Sequence, residues 1–131
     1  MDRIWNLGVK VRDLEAELAF LKACGATRIE KGTNQTPDGD LGFAMAFLGS
    51  QRLLLFPTVI YEGALSEPLK GGIAHAVYEV KDVAQVVDKF HSNGVSPLWG
   101  PQEVSTPFGR RRIVFFRSPS GFIFETFQHL G

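Results

Sequence analysis

The chain has 131 residues, the length of one typical domain, and at that size folding buries about two-thirds of the unfolded surface in a single core. With 44% hydrophobic and 21% charged residues it lies in the ordinary globular range, which excludes disordered, collagen-like and coiled-coil chains. Fourteen Lys and Arg balance fourteen Asp and Glu, so no bulk charge draws it to nucleic acid or to an anionic membrane, and neither partner is expected.

The chain opens with MDRIWNLGVKVRD, where charge is interleaved with apolar residues. Leu7, Val9 and Val11 alternate with Asn6, Gly8 and Lys10, the period of a strand with one apolar face. Asp13 ends that strand and caps a helix with the apolar stripe Leu14, Leu18 and Leu21; Glu15 and Glu17 sit favourably near its positive end. Cys24-Gly25 stops the helix. Cys24 is the only cysteine and can form no internal disulfide, which together with the charged opening points to a reducing, cytoplasmic location. Three extended segments follow at about 26–32, 42–48 and 51–57, with Gly49-Ser50 as the turn between the last two. No apolar run approaches the roughly 18 residues of a membrane span.

From Pro57 to Gly72 the chain is rich in Pro and Gly and reads as a connector with few core residues. Beyond it the same signals recur. Ala76, Tyr78 and Val80 share a strand face, Asp82 caps a helix with the stripe Val83, Val86, Val87 and Phe90, and Asn93-Gly94 ends it. Extended segments at about 95–104, 110–117 and 121–128 complete the chain, with Ser118-Pro119-Ser120-Gly121 as the last turn. The two halves align at an offset of 69 residues, which pairs Ile4 with Ile73, Val11 with Val80, Asp13 with Asp82 and Gly25 with Gly94. The reading is α+β: residues 1–131 form a single domain of two tandem duplicated βαβββ modules, about 1–57 and 73–131, joined by a connector at 58–72.

Three features carry chemistry. His75 shares its strand face with Val77 and Glu79, opposite the face that packs on the helix. Glu125 lies between Ile123 and Phe127 on its strand face, where an unpaired carboxylate costs several kcal/mol or raises its pKa; it therefore requires a partner, which is a metal, His75 or an arginine. In the run Arg110-Arg111-Arg112, alternation puts Arg110 and Arg112 on one face and Arg111 on the other; one of the three can point into the interior to bind a carboxylate or phosphate, and Arg112 is taken as the candidate. Phe127 and the phenylalanines near it either line an aromatic ligand cavity or fill the core.

Tandem βαβββ units with Asp-capped helices and the closing FFRSPSGFIFETFQ resemble the vicinal oxygen chelate superfamily of glyoxalase I, bleomycin-resistance proteins and extradiol dioxygenases, over nearly all of Ile4 to Gln128. The resemblance implies a curled, mostly antiparallel, cup-shaped sheet with helices on its convex side, a small oxygenated molecule bound in the concave side, and a homodimer. It also implies metal ligands on the first and last strands of each module. Those positions fall on His75 and Glu125 in the second module, which match, and on Asn6 and Leu54 in the first, which depart from the family's His or Glu. Leu54 can coordinate nothing, and Asn6 is the weaker third candidate with only an amide oxygen.

Two readings stay open. In one, His75 and Glu125 hold a divalent Fe, Mn, Ni, Co or Zn ion completed by Asn6 or water, and Glu125 is also the catalytic carboxylate of a lyase, isomerase or dioxygenase. In the other, no metal is bound and the cup sequesters a small molecule, as in bleomycin-resistance proteins, with Asn6, Arg112 and Phe127 as ligand contacts. Loops 33–41, 58–71 and 104–109 would shape specificity.

Overall fold

The computed structural model describes all residues, Met1–Gly131. Its elements are β1 (Ile4–Lys10), α1 (Leu14–Ala23), β2 (Thr27–Thr36), β3 (Gly39–Leu48), β4 (Gln51–Phe56), a short 3-10 turn at Glu62–Ala64, β5 (Gly72–Glu79), α2 (Val83–Ser92), β6 (Trp99–Thr106), β7 (Gly109–Arg117) and β8 (Ile123–His129). The order strand, helix, three strands thus occurs twice. Neither helix is long and apolar enough to cross a membrane.

Both helices begin where the sequence marks them. The Asp13 carboxylate accepts from the Ala16 amide, and the Asp82 carboxylate accepts from the amides of Ala84 and Gln85. Past the C-caps, Gly25 and Gly94 take φ of 93° and 80°, a left-handed turn that a side chain would strain.

The eight strands form one sheet in the order β1-β4-β3-β2-β6-β7-β8-β5, closed into a barrel. The expected open cup is therefore shut within one chain. β1 runs parallel to β4 and antiparallel to β5, and β5 runs parallel to β8. The joins are unequal: β2 and β6 meet through one register pair, Gln35 opposite Ser105. The segment 33–41, read as a loop, is mostly ladder, because β2 and β3 pair out to Thr36 and Gly39 around a tight turn.

Alternation sorts the apolar residues into three compartments. Phe43, Met45, Leu54, Phe56, Val77, Ile113, Phe115, Ile123 and Phe127 fill the barrel. Val11, Leu18, Leu21, Ala44, Leu53 and Leu55 pack α1 on the outside, and Val83, Val114 and Phe116 pack α2. The segment between β4 and β5 has few core residues, as its Pro and Gly suggest, but sends two of them deep into the barrel. Val59 and Tyr61, at 2% and 0% exposure, belong to the barrel's apolar filling. Lys10 fastens this segment through an ion pair to Glu62 (2.7 Å) and a bond to the Pro57 carbonyl (2.5 Å), while Glu62 also accepts from the Val59 amide.

Two irregularities in the β1–β5 ladder shape the interior. Register shifts between Ile4 and Asn6, so Trp5 is an extra residue on β1; it shifts again between Gly8 and Val9, leaving Ala74 extra on β5. The first breaks the alternation, so that Trp5 packs on the barrel filling although Asn6, next in sequence, is also buried. Between the two shifts Gly8 sits opposite His75, and a Cβ there would lie 2.3 Å from the imidazole. Gly8→Ala should destabilise the fold by about 1–3 kcal/mol in urea denaturation, as overpacking does. In a Gly8→Ala/His75→Ala double mutant the two costs should fall short of additivity, because the colliding ring is gone.

Candidate functional site

His75, on β5, is 4% exposed and held from both sides. Its ring packs edge-on to Phe115 (centroids 5.2 Å) and Tyr61 (5.4 Å) and stacks beside Phe56 (6.4 Å). The Tyr61 hydroxyl lies 3.2 Å from His75 Nδ1 and 3.2 Å from the carbonyl oxygen of Ala74, the extra residue of the β5 bulge. A carbonyl only accepts, so the single phenol proton goes to Ala74. The phenol oxygen then accepts from Nδ1–H, which fixes the tautomer and leaves Nε2 with a free lone pair. Burial pushes the His75 pKa down to about 3, so the ring is neutral. Burial, followed by the nearby Glu125 and Glu62, raises the Tyr61 phenol above its ordinary range, so it stays protonated.

Glu125, on β8, faces His75 with Oε1 4.0 Å from Nε2, and its side chain keeps 12% exposure. The gap is too wide for a hydrogen bond and suits one intervening oxygen atom. Burial pushes the Glu125 pKa up to about 8, and Arg111 opposes the rise without cancelling it. Near neutrality the carboxyl is thus mostly protonated, a donor facing an acceptor.

The arginine inside the barrel is Arg111, not Arg112. Arg111, Ile113 and Phe115 point inward from β7, whereas Arg112 shares the outward face with Val114 and Phe116 and does not reach the cavity. Arg111 is 5% exposed, with its guanidinium carbon 4.0 Å from the Phe127 ring centroid, 4.5 Å from Trp5 and 5.4 Å from Phe108. These π faces stabilise the cation. Its edge is less well served, since buried Nε and Nη2 have no hydrogen-bond partner. Orphaned donors of this kind cost about 1–3 kcal/mol each. Burial lowers the Arg111 pKa while Glu125 and Glu79 hold it up, and a guanidinium stays charged throughout.

These groups line a cavity of about 50 Å³, room for a few water molecules. His75, Glu125, Arg111 and Asn6 supply its polar wall, and Leu54, Phe56, Val59, Ile113 and Phe115 its apolar wall. Asn34 and Thr36 on β2 and Thr106 on β6 line it beside the β2–β6 join, and the Asn34 Oδ1 is a further buried atom with no partner. Of the residues singled out in the sequence, Asn6, His75 and Glu125 converge here, and Leu54 completes the fourth position. Phe127 instead lies under the Arg111 guanidinium. Arg111, not Arg112, is the arginine of the run that lines the cavity, and Tyr61 and Gly8 were missed.

The donor set does not fit a divalent transition metal. Bonds of about 2.0–2.2 Å in tetrahedral geometry bring two ligand atoms to about 3.4 Å, so a tetrahedral ion would need Nε2 and Oε1 to draw in from 4.0 Å, and an ion of any geometry needs further donors. No three His, Cys, Asp or Glu side chains cluster as a metal site, the remaining wall offers the Asn6 amide and the Leu54 methyls, and a fixed guanidinium faces the same cavity.

The fold is an eight-stranded barrel with two outer helices and an internal cavity of mixed polar and apolar wall. The family model described as the Glyoxalase/Bleomycin resistance protein/Dioxygenase superfamily matches residues 3–126, and the chain belongs to that superfamily. Among solved structures it is similar to a Streptomyces coelicolor methylmalonyl-CoA epimerase variant in complex with 2-nitronate-propionyl-CoA (TM-score 0.69, 20% identity, 98% of each chain covered). It is also similar to methylmalonyl-CoA epimerase from Mycobacterium tuberculosis (0.68, 17%, 98% of this chain and 88% of that one). A superfamily member from Vibrio splendidus matches with TM-score 0.58 at 17% identity, over 96% of this chain and 97% of that one. Such identities establish the fold alone. Curated protein sequences give no match.

The two buried titrations oppose each other in a way that stability can read. Neutral His75 stabilises the fold above its unfolded pKa near 6.5, and that contribution is lost as pH falls toward about 3. Glu125, raised from 4.5 to about 8, contributes fully below 4.5 and loses that contribution as pH climbs through 8. Between pH 6.5 and 8 only Glu125 of the two acts, so stability should fall with rising pH in that window. Glu125→Gln should remove the fall, as measured by urea midpoints across the range.

Proposed function

We propose that the protein binds a small oxygenated organic molecule inside the barrel without a metal ion. The observation that carries this reading is the 4.0 Å gap between a neutral His75 Nε2 and Glu125 Oε1, bounded by Leu54 where a third ligand would have to stand. A ligand hydroxyl in the gap would accept from the Glu125 carboxyl and donate to Nε2, satisfying both groups at once. The apolar wall of Phe56, Val59, Ile113 and Phe115 takes the carbon skeleton, as in most small-molecule pockets.

One feature favours a catalytic role beyond binding. A carboxyl with its pKa pushed to about 8 is poised to give up and recover a proton near neutral pH, as a general acid or base requires. Tyr61 would position its partner His75 by fixing the tautomer. In this reading Glu125 is the catalytic residue and the reaction is a metal-independent proton transfer on the bound molecule. The methylmalonyl-CoA epimerase structures supply a fold precedent for a thioester ligand, although a cavity of about 50 Å³ admits only a fragment of one unless the barrel opens.

Thermal unfolding with Mn²⁺, Fe²⁺, Co²⁺, Ni²⁺ and Zn²⁺, with elemental analysis of unchelated protein, separates the readings. A specific ion at 100-fold saturation would add about 2.7 kcal/mol, a rise of a few degrees in Tm. We expect no such rise and no metal-dependent difference between wild type and His75→Ala. Stoichiometric metal that disappears in His75→Ala would overturn the proposal.

A further inference from the structure

Arg111 is surrounded by aromatic rings and short of hydrogen-bond acceptors. Its central carbon lies 4.0, 4.5 and 5.4 Å from the ring centroids of Phe127, Trp5 and Phe108, contacts that stabilise charge without supplying an oxygen acceptor. The two buried nitrogens without a partner, Nε and Nη2, are the pair whose N–H bonds run parallel along one edge of the group. That edge matches the two oxygens of a carboxylate in a fork. No carboxylate of the protein lies within 4.0 Å of it: Glu125 belongs to the same cavity but makes no ion pair with Arg111. The barrel therefore encloses a fixed positive charge with two unpartnered N–H groups, beside a cavity that Arg111 helps to line.

We infer that Arg111 is the anion-binding subsite of the cavity and that the ligand is a small carboxylic acid, its carboxylate held by Nε and Nη2 and its carbon skeleton on the apolar wall. This rests on the interior being the binding site and adds the chemical class of its occupant. A phosphate group fits the same charge but carries more oxygens than one guanidinium edge can serve, and the lining contains no second buried cation. The closed cavity, at about 50 Å³, favours a short acid over a long fatty acid. The site is not legible in neighbouring Arg110, which pairs with Glu103 at the surface, or in Arg112, which faces away.

The test titrates the full-length protein, by heteronuclear NMR, with propionate, propionamide and inorganic phosphate. Propionate should shift amides of β7 and β8 and bind at least tenfold more tightly than propionamide, which has the same shape without the charge, and more tightly than phosphate. Arg111→Lys keeps a cation but loses the fork, and it should bring propionate to within threefold of propionamide with the fold intact by its amide spectrum. Should Arg111→Lys not fold, the wild-type ratio of propionate to propionamide decides alone. Equal binding of acid and amide, or preferential binding of phosphate, overturns the carboxylate subsite while leaving the interior as a binding site. Failure of all three probes to perturb cavity residues overturns both.

Discussion

The structure depends on the antiparallel join between β1 and β5, because this join binds the two four-strand halves and also carries the site. His75 can point into the barrel only because the residue opposite it is Gly8. The two register shifts that flank this pair do separate work. One rolls Trp5 inward beneath Arg111; the other strands the Ala74 carbonyl, which Tyr61 then satisfies while orienting His75. Bulges leave a residue outside the ladder and re-aim side chains. Here both consequences are used within a few residues of one another.

Closure of the sheet then decides the electrostatics. A barrel filled with phenylalanine and aliphatic side chains is a poor solvent for charge, so each ionisable group inside adopts its neutral form where it can. His75 does so by losing affinity for its proton and Glu125 by gaining it. Arg111 has no neutral form within reach and is accommodated by aromatic faces instead. The result is an interior with one fixed positive charge, one donor carboxyl and one acceptor imidazole. A divalent ion added there would meet that charge with at most one anionic ligand to offset it, whereas an organic anion would complement it.

Much of the scaffold was legible because it rests on local chemistry. Asp13 and Asp82 cap their helices by a mechanism that needs nothing beyond the next three residues, period-two alternation put His75 on the face opposite the helix, and the resemblance put Leu54 and Glu125 at matching positions of their strands. The phase of β7 was harder. Ile113, Val114, Phe115 and Phe116 are apolar on both faces because one face fills the barrel and the other receives α2, so the strand does not show which of Arg111 and Arg112 is inside. Tyr61 was hidden by its setting, since Pro and Gly mark a turn-rich segment but do not say whether that segment crosses the surface or caps a cavity. Trp5 and Ala74 had no signal at all, because a bulge is a property of the pairing between two strands.

The barrel is unevenly closed. The cavity is walled on one side by Val59 and Ile60, in a segment that Glu62 and Lys10 fasten through an ion pair and two hydrogen bonds to backbone groups. On another side it is walled by Asn34, Thr36 and Thr106, which flank the β2–β6 join of one register pair. Every other join in the sheet is a ladder of several pairs, so separating β2 from β6 breaks the fewest backbone hydrogen bonds and uncovers the cavity directly. The two turns beside that join are short hairpin ends, Thr36–Gly39 and Thr106–Gly109, each tied by a threonine hydroxyl to the facing glycine carbonyl. Those bonds are internal to each hairpin and do not cross the join. Among the joins of this barrel, β2–β6 is therefore the one whose separation costs the fewest backbone hydrogen bonds.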